Sequence, residues 1–156
     1  MQQDEHDQNT HMQISMIGQY LKDLSFENPN APQSLEQPGE NPNIQIEIGV
    51  NGRKIKDDIF EVVLEFTADA KSEKHFIYKV ELAYAGLFQL KNIQEKALQQ
   101  ILMITCPNYI FPFVRALILQ MTQEGSFPPL QLDPIDFAAL YKQNMSDEIK
   151  SKQMIN

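Results

Sequence analysis

Apolar and polar residues alternate along the first half of the chain, and a helical period replaces that alternation after Gly86. Met12, Ile14, Met16, Tyr20, Leu24 and Phe26 fall on one side of a first predicted strand. Gln13, Ser15, Gln19, Asp23, Ser25 and Glu27 fall on the other. Gly18 and Lys22 interrupt the alternation, which predicts a bulge or bend near Lys22. Pro29, Pro32, Pro38, Gly39 and Pro42 mark 28–42 as an irregular connection. Ile44, Ile46, Ile48 and Val50 then alternate with polar or small residues up to Asn51-Gly52, a turn signal. Phe60, Val62, Leu64 and Phe66 make a third strand, and Phe76, Tyr78, Val80, Leu82 and Tyr84 a fourth, with a polar turn at 71–74 between them. The short connections between the last three strands predict antiparallel pairing.

Asn92 with Glu95 reads as a capping box for a helix whose buried stripe is Ile93, Ala97, Leu98, Ile101, Leu102 and Thr105. Pro107 is expected to end it. A second helix should start with Pro112 in its first turn and finish at Gly125. Asp133-Pro134 should start a third, with Ile135, Phe137, Ala138, Leu140 and Tyr141 on its apolar side. The predicted fold class is α+β: a four-stranded antiparallel sheet with helices packed on one face. Residues 1–11 are expected to be a disordered tail, 12–144 a single domain and 145–156 a flexible tail.

Charge narrows the function. The 156 residues carry 21 Asp and Glu against 13 Lys and Arg, a formal net charge of −8. A general nucleic-acid binder needs clustered cations, and the only near-basic run, Arg53 to Lys56, is followed by Asp57 and Asp58. The single cysteine allows no internal disulfide and suits a reducing compartment. The polar, acidic N-terminus does not read as a signal peptide, and Pro112 and Arg115 break the longest apolar stretch. These features predict a soluble, cytoplasmic protein without direct membrane insertion.

Catalytic patterns are weak. The glycines are scattered and make no phosphate loop. Cys106 with His75 as base lacks a supporting motif, and a small buried residue at a helix end explains Cys106 better. His6 and His11 lack cysteine partners for a metal site. Turn and capping roles account for Asp57-Asp58 and for Asp133 with Asp136. No catalytic residue, cofactor or metal is expected. Binding features are stronger. The helix after Cys106 is apolar almost all round, so it needs cover on two sides. Tyr109, Phe111, Phe113, Phe127 and Tyr141 are either core or an apolar groove, and Phe127-Pro128-Pro129-Leu130 in a loop favours a groove for part of the set. Asp23, Ser25, Glu27 and Glu81 are either a solvated face or a docking patch for a basic partner.

The segments KDLSFENPNAP (22–32), IKDDIFEVVLEF (55–66), AGLFQL (85–90), CPNYIFPFVR (106–115) and GSFPPLQLDPIDFAALY (125–141) resemble those of SecB, the proteobacterial export chaperone. They occur in family order and span nearly all of 12–144. The resemblance implies a homotetramer, a dimer of dimers, that holds unfolded preproteins without ATP and delivers them to the motor ATPase SecA. It implies SecA-docking carboxylates at Asp23, Glu27 and Glu81. It implies a client groove formed by Ile44, Ile46, Ile48, Tyr109, Phe113, Phe127, Leu130 and Tyr141. The family's second SecA contact, through its C-terminal tail, has no residue-by-residue match here. A carrier for a small apolar ligand, using the space between sheet and helices, is the alternative reading, and an enzyme built around Cys106 is a third.

Overall fold

The computed structural model describes residues 11–36, 42–73 and 75–155. The expected disordered tail falls on 1–10 apart from its last residue, and with His6, Pro38, Gly39 and Lys74 it lies outside that set. Four strands, β1 (Gln13–Glu27), β2 (Asn43–Lys56), β3 (Ile59–Lys71) and β4 (Phe76–Lys91), precede the helices. They form one antiparallel sheet in the order β1-β4-β3-β2, so β1 and β2 are its two edges.

Register turns the alternation into rungs. Ile46, Ala68, Val80 and Phe26 lie side by side, then Ile48, Phe66, Leu82 and Leu24, then Val50, Leu64, Tyr84 and Leu21. This face carries the helices and holds the core, with Val62, Leu64, Ala68, Val80 and Phe88 fully buried. The register of β1 shifts between Met16 and Gly18 and again between Leu21 and Asp23. The bulge expected near Lys22 is therefore present, and a second one lies at Ile17. Each extra residue reverses the alternation. Tyr20, expected on the apolar face, pairs with Ala85 and points to the outer face instead.

Asn51-Gly52 is not a turn. β2 continues to Lys56, and the hairpin turns at Asp57-Asp58, where Asp57 takes a positive φ of 43°. Hairpin pairing with β3 outweighs the local Asn-Gly preference.

The helices run as one rod with a widened turn. α1 (Glu95–Gln100) passes through a π turn (Ile101–Thr105) into α2 (Cys106–Glu124). Asn92 does not cap it: Gln94 holds that position, and Asn92 sits at φ 58°. Pro107 does not end the helix either. It lacks the N–H that an α turn would aim at the Met103 carbonyl, and the chain shifts to i→i−5 bonding, with Cys106 N–H on Ile101 O. Pro112 lies inside α2 rather than at its start. The rod from Glu95 to Glu124 is long and apolar enough to cross a membrane, a test that core helices also pass. Ile101, Leu102, Cys106, Ile110, Val114 and Ile118 are buried on the sheet. α2 comes close to β4 at Gly86, where a Cβ would meet the Phe88 ring at 2.6 Å and Ile110 at 3.2 Å.

Gly125 follows α2 as expected, but Ser126 is the left-handed residue, at φ 63°. Glycine is needed at 125 because a Cβ would meet the Phe26 ring at 2.6 Å. α3 (Phe137–Ile155) starts later than Asp133 and ends later than Asn144. Its cap is Asp136, whose Oδ1 accepts from Ala139 N–H at 3.0 Å. The segment 145–155, expected as a flexible tail, continues this helix. Met145 and Ile149 extend the Phe137, Tyr141 stripe at four-residue spacing, which is the signal for the longer helix.

Candidate functional site

The two sides of the sheet differ in chemistry. On the helix-bearing side, the apolar stripe of the β2 edge is only partly covered. Ile44, Ile48 and Val50 are half-buried against the core, and Ile46 is 42 % exposed. At one end of the stripe the connection between α2 and α3 folds back. Phe127 tilts against Tyr78 with ring centroids 4.8 Å apart and lies 6.5 Å from Phe26. Leu130 is half-buried, and its N–H donates to Thr122 Oγ1 at 3.0 Å. The Thr122 hydroxyl is itself turned toward the carbonyls of Ile118 and Leu119, at 3.1 and 2.9 Å, so a buried polar group anchors the loop. At the other end a cleft of about 590 Å³ opens between β2, the helical rod and α3, lined by Val50, Met103, Tyr141 and Met145 among others. From Ile44 to Val50 the stripe spans about 20 Å of extended strand.

Six of the expected groove residues therefore follow one line: Ile44, Ile46, Ile48, Phe127, Leu130 and Tyr141. Tyr109 and Phe113 do not join them. Phe113 stacks on Tyr84 at 6.0 Å and Tyr109 tilts on Phe88 at 6.3 Å. Tyr84 and Phe88 both lie on β4, which β3 separates from β2, so these two rings stand about 10 Å across the sheet from the β2 edge. Tyr109 and Phe113 are 51 % and 38 % exposed, and Leu21, on the Tyr84 rung, is also exposed. Helical spacing puts the two aromatic rings on one side of α2 but does not say which strand lies under them. Phe111 is core: it is buried edge-on against Phe137 at 6.2 Å, with the Arg115 guanidinium 5.7 Å above its ring.

The outer side of the sheet is polar. Register brings the expected carboxylates together: Asp23 lies beside Ala83, Ser25 beside Glu81 and Glu27 beside Lys79. Asp23, Glu27 and Glu81 are all exposed. The same rungs continue to Glu65, opposite Ala83, and to Glu47, opposite Thr67. Both are exposed and extend the acidic field to the far edge. Period two assigns them to the polar face, but only strand order places them in line with Asp23 and Glu81. Lys79 sits within the field, 3.1 Å from Glu81 and 3.9 Å from Asp69. These contacts raise its pKa, the hydrogen bond to Glu81 most.

Toward the hairpin tip the outer face holds a different cluster. Glu61, only 4 % exposed, accepts from the Tyr20 hydroxyl, from Arg53 Nε at 2.9 Å and from Lys22 Nζ at 3.3 Å. Its carboxyl is pulled down to about 2, first by the Tyr20 hydroxyl and then by Arg53 and Lys22, against the opposing effect of burial. Sequence reasoning missed this group because Tyr20 reaches it only through the Ile17 bulge.

Cys106 is a poor nucleophile. It is fully buried, and desolvation pushes its thiol up to about 12. Among the described residues no His, Cys, Asp and Glu cluster could hold a metal ion.

Comparison with known proteins identifies this architecture. The family model for SecB, preprotein translocase subunit SecB, matches residues 7–148. Protein-export protein SecB of Afipia carboxidovorans is 45 % identical over 141 residues, covering 90 % of this chain and 88 % of that protein. That of Bradyrhizobium diazoefficiens is 44 % identical over 137 residues, covering 88 % and 85 %. That of Methylocella silvestris is 46 % identical over 140 residues, covering 90 % and 87 %. Among solved structures, the SecB-like chaperone Rv1957 of Mycobacterium tuberculosis, in complex with a ChAD peptide from the Rv1956 HigA1 antitoxin, matches with a TM-score of 0.65. It is 16 % identical, and the match covers 78 % of this chain and 90 % of that one. At that identity the likeness is one of fold.

Proposed function

The chain belongs to the SecB family of protein-export proteins, and from that premise we propose how its two faces serve export. It is an export chaperone. Unfolded preproteins bind along the stripe of Ile44, Ile46 and Ile48, between Phe127 and Leu130 at one end and Tyr141 at the other. The observation that carries this reading is an apolar stripe left open along an edge strand and flanked by an aromatic loop and a methionine-bearing cleft. Apolar burial is non-directional, and flexible Met103 and Met145 adapt to many side chains, so one groove accepts many sequences. The groove holds clients and catalyses nothing, and the cycle uses no ATP.

Asp23, Glu27 and Glu81 dock SecA, with electrostatics orienting the encounter. Because this face is opposite the groove, a bound client leaves it free. Tyr109, Phe113 and Leu21, set apart from the groove, are better explained as a surface covered by neighbouring subunits of a homotetramer. Several grooves in one assembly then raise the affinity for a long client through effective concentration. The protein works in the cytoplasm, before preproteins reach the membrane.

The test is titration of the purified chain with one preprotein, unfolded and folded. Preference for the unfolded form by tenfold or more, on the order of 1.4 kcal/mol, is expected. Equal binding of both forms overturns the reading. A small-ligand carrier is less well supported: the space between sheet and helices is filled by Leu64, Phe66, Ile110 and Ile118, and the cleft beside Tyr141 is open to solvent.

A further inference from the structure

Two cations stand on the outer face, one of them beside a candidate docking carboxylate, and one side chain holds both. Lys22 is the extra residue at the second β1 bulge and directly precedes Asp23. In a regular strand, neighbouring residues point to opposite faces; the bulge puts both on the same one. The Lys22 ammonium lies 3.3 and 3.4 Å from the two Glu61 oxygens. Arg53 Nε meets the same carboxylate at 2.9 Å, and the Tyr20 hydroxyl completes its shell. Glu61 is almost fully buried, and its depressed pKa keeps it ionised across the physiological range. Among the described residues, neither Asp23 nor Glu27 has an ion pair within 4 Å.

We propose that Glu61 is a positioning residue for docking: it holds Lys22 away from Asp23, and so keeps that carboxylate unpaired for a basic partner surface. This rests on the docking reading above. A lysine is a compact charge on a flexible four-carbon stem. Released beside Asp23, it swings onto the nearest free carboxylate. A carboxylate already paired offers a cationic partner less, because that pair must be broken on contact. Burial makes Glu61 the stronger holder: its pair with Lys22 is less screened than a pair between Lys22 and exposed Asp23. The Tyr20 and Arg53 donors fix the carboxylate in place, so it does not move with the lysine.

The experiment uses the full chain with SecA as the probe, titrated at low and moderate salt. Light scattering and thermal unfolding check each variant. Glu61→Gln is expected to lower SecA affinity roughly three- to tenfold at low salt, and less at moderate salt, while client binding holds. Lys22→Gln alone should bind within about twofold of wild type, because its charge is already occupied. The double variant, Glu61→Gln with Lys22→Gln, should return to within about twofold of wild type, since the competing cation is gone. A purely structural Glu61 predicts the opposite, a double variant as weak as Glu61→Gln or weaker, and that result overturns the proposal. So does a gain of more than about threefold in Lys22→Gln, which shows a lysine not held by Glu61 and is readable even if Glu61→Gln does not fold. Asp23→Ala with Glu27→Ala separates the two levels. If it binds SecA like wild type, the docking reading fails; if it loses affinity while all three Glu61 and Lys22 variants match wild type, only the role of Glu61 fails.

Discussion

Tyr20 and Phe127 show how far single residues depart from their local pattern. Tyr20 belongs to an apolar alternation yet ends on the polar face, where its hydroxyl helps hold Glu61 ionised. The carboxyl titrates near 2 when folded and near 4.5 when exposed, so folding depresses it. Its contribution is therefore complete above about pH 4.5 and is lost as pH falls toward 2, with a magnitude on the order of 3 kcal/mol. Urea unfolding at pH 6, 4 and 3 is expected to show a steeper loss of stability in wild type than in Glu61→Gln; parallel slopes contradict it. Phe127 packs on Tyr78 and Phe26 but stays half-exposed. Truncation to alanine should weaken unfolded-client binding by about 1–2 kcal/mol, with assembly intact. If Phe127→Ala instead dissociates or unfolds while client affinity stays unchanged, its ring is core and no part of the groove.

Elements differ in how they are held. α2 is fixed by burial along its whole length, whereas the connection to α3 hangs on a few contacts, one of them to the fully buried hydroxyl of Thr122. Thr122→Val keeps the shape and removes the acceptor for Leu130 N–H. The expected cost is about 1–3 kcal/mol of local stability, because a partly buried donor loses its partner. Hydrogen exchange at the Leu130 amide is the measurement: faster exchange there, with the amides of β3 and β4 unchanged, is the expected outcome, and uniform protection across all of them rules it out. α3 is helical to Ile155, yet from Lys142 to Met154 its residues are exposed, so its outer half has helical geometry with little burial behind it.

At the scale of the whole molecule, one sheet presents two unlike faces. Apolar residues at 12, 21, 109 and 113 remain exposed on a single copy, more than a lone soluble domain usually leaves in one region. Light scattering at micromolar concentration should give the mass of a tetramer; a monomer throughout that range is incompatible with these residues being an interface. The acidic face should matter to docking and little to folding, since exposed charges contribute about 0–1 kcal/mol each. Asp23→Ala with Glu27→Ala is expected to keep the assembly and client binding while losing most SecA affinity, with the difference shrinking as salt rises. Equal SecA affinities for wild type and variant at low and moderate salt assign docking to another surface.

Much of this was legible in the chain itself. Period-two alternation in the first half and helical period in the second specify four strands followed by helices, because side-chain burial depends on local geometry that repeats every two or 3.6 residues. The same alternation separates Ile44, Ile46 and Ile48 from Asp23, Glu27 and Glu81. What it does not carry is anything that depends on a partner strand. The Ile17 bulge, which turns Tyr20 to Glu61, exists only in register with β4. The Asn51-Gly52 turn signal yields to β2–β3 pairing that runs on to Lys56. Pro107 breaks a helix locally, and a π turn packed on the sheet carries the rod past it. The separation of Tyr109 and Phe113 from the groove is likewise tertiary: spacing along α2 puts them on one side of a helix, and only packing decides that Tyr84 and Phe88, rather than β2, lie beneath.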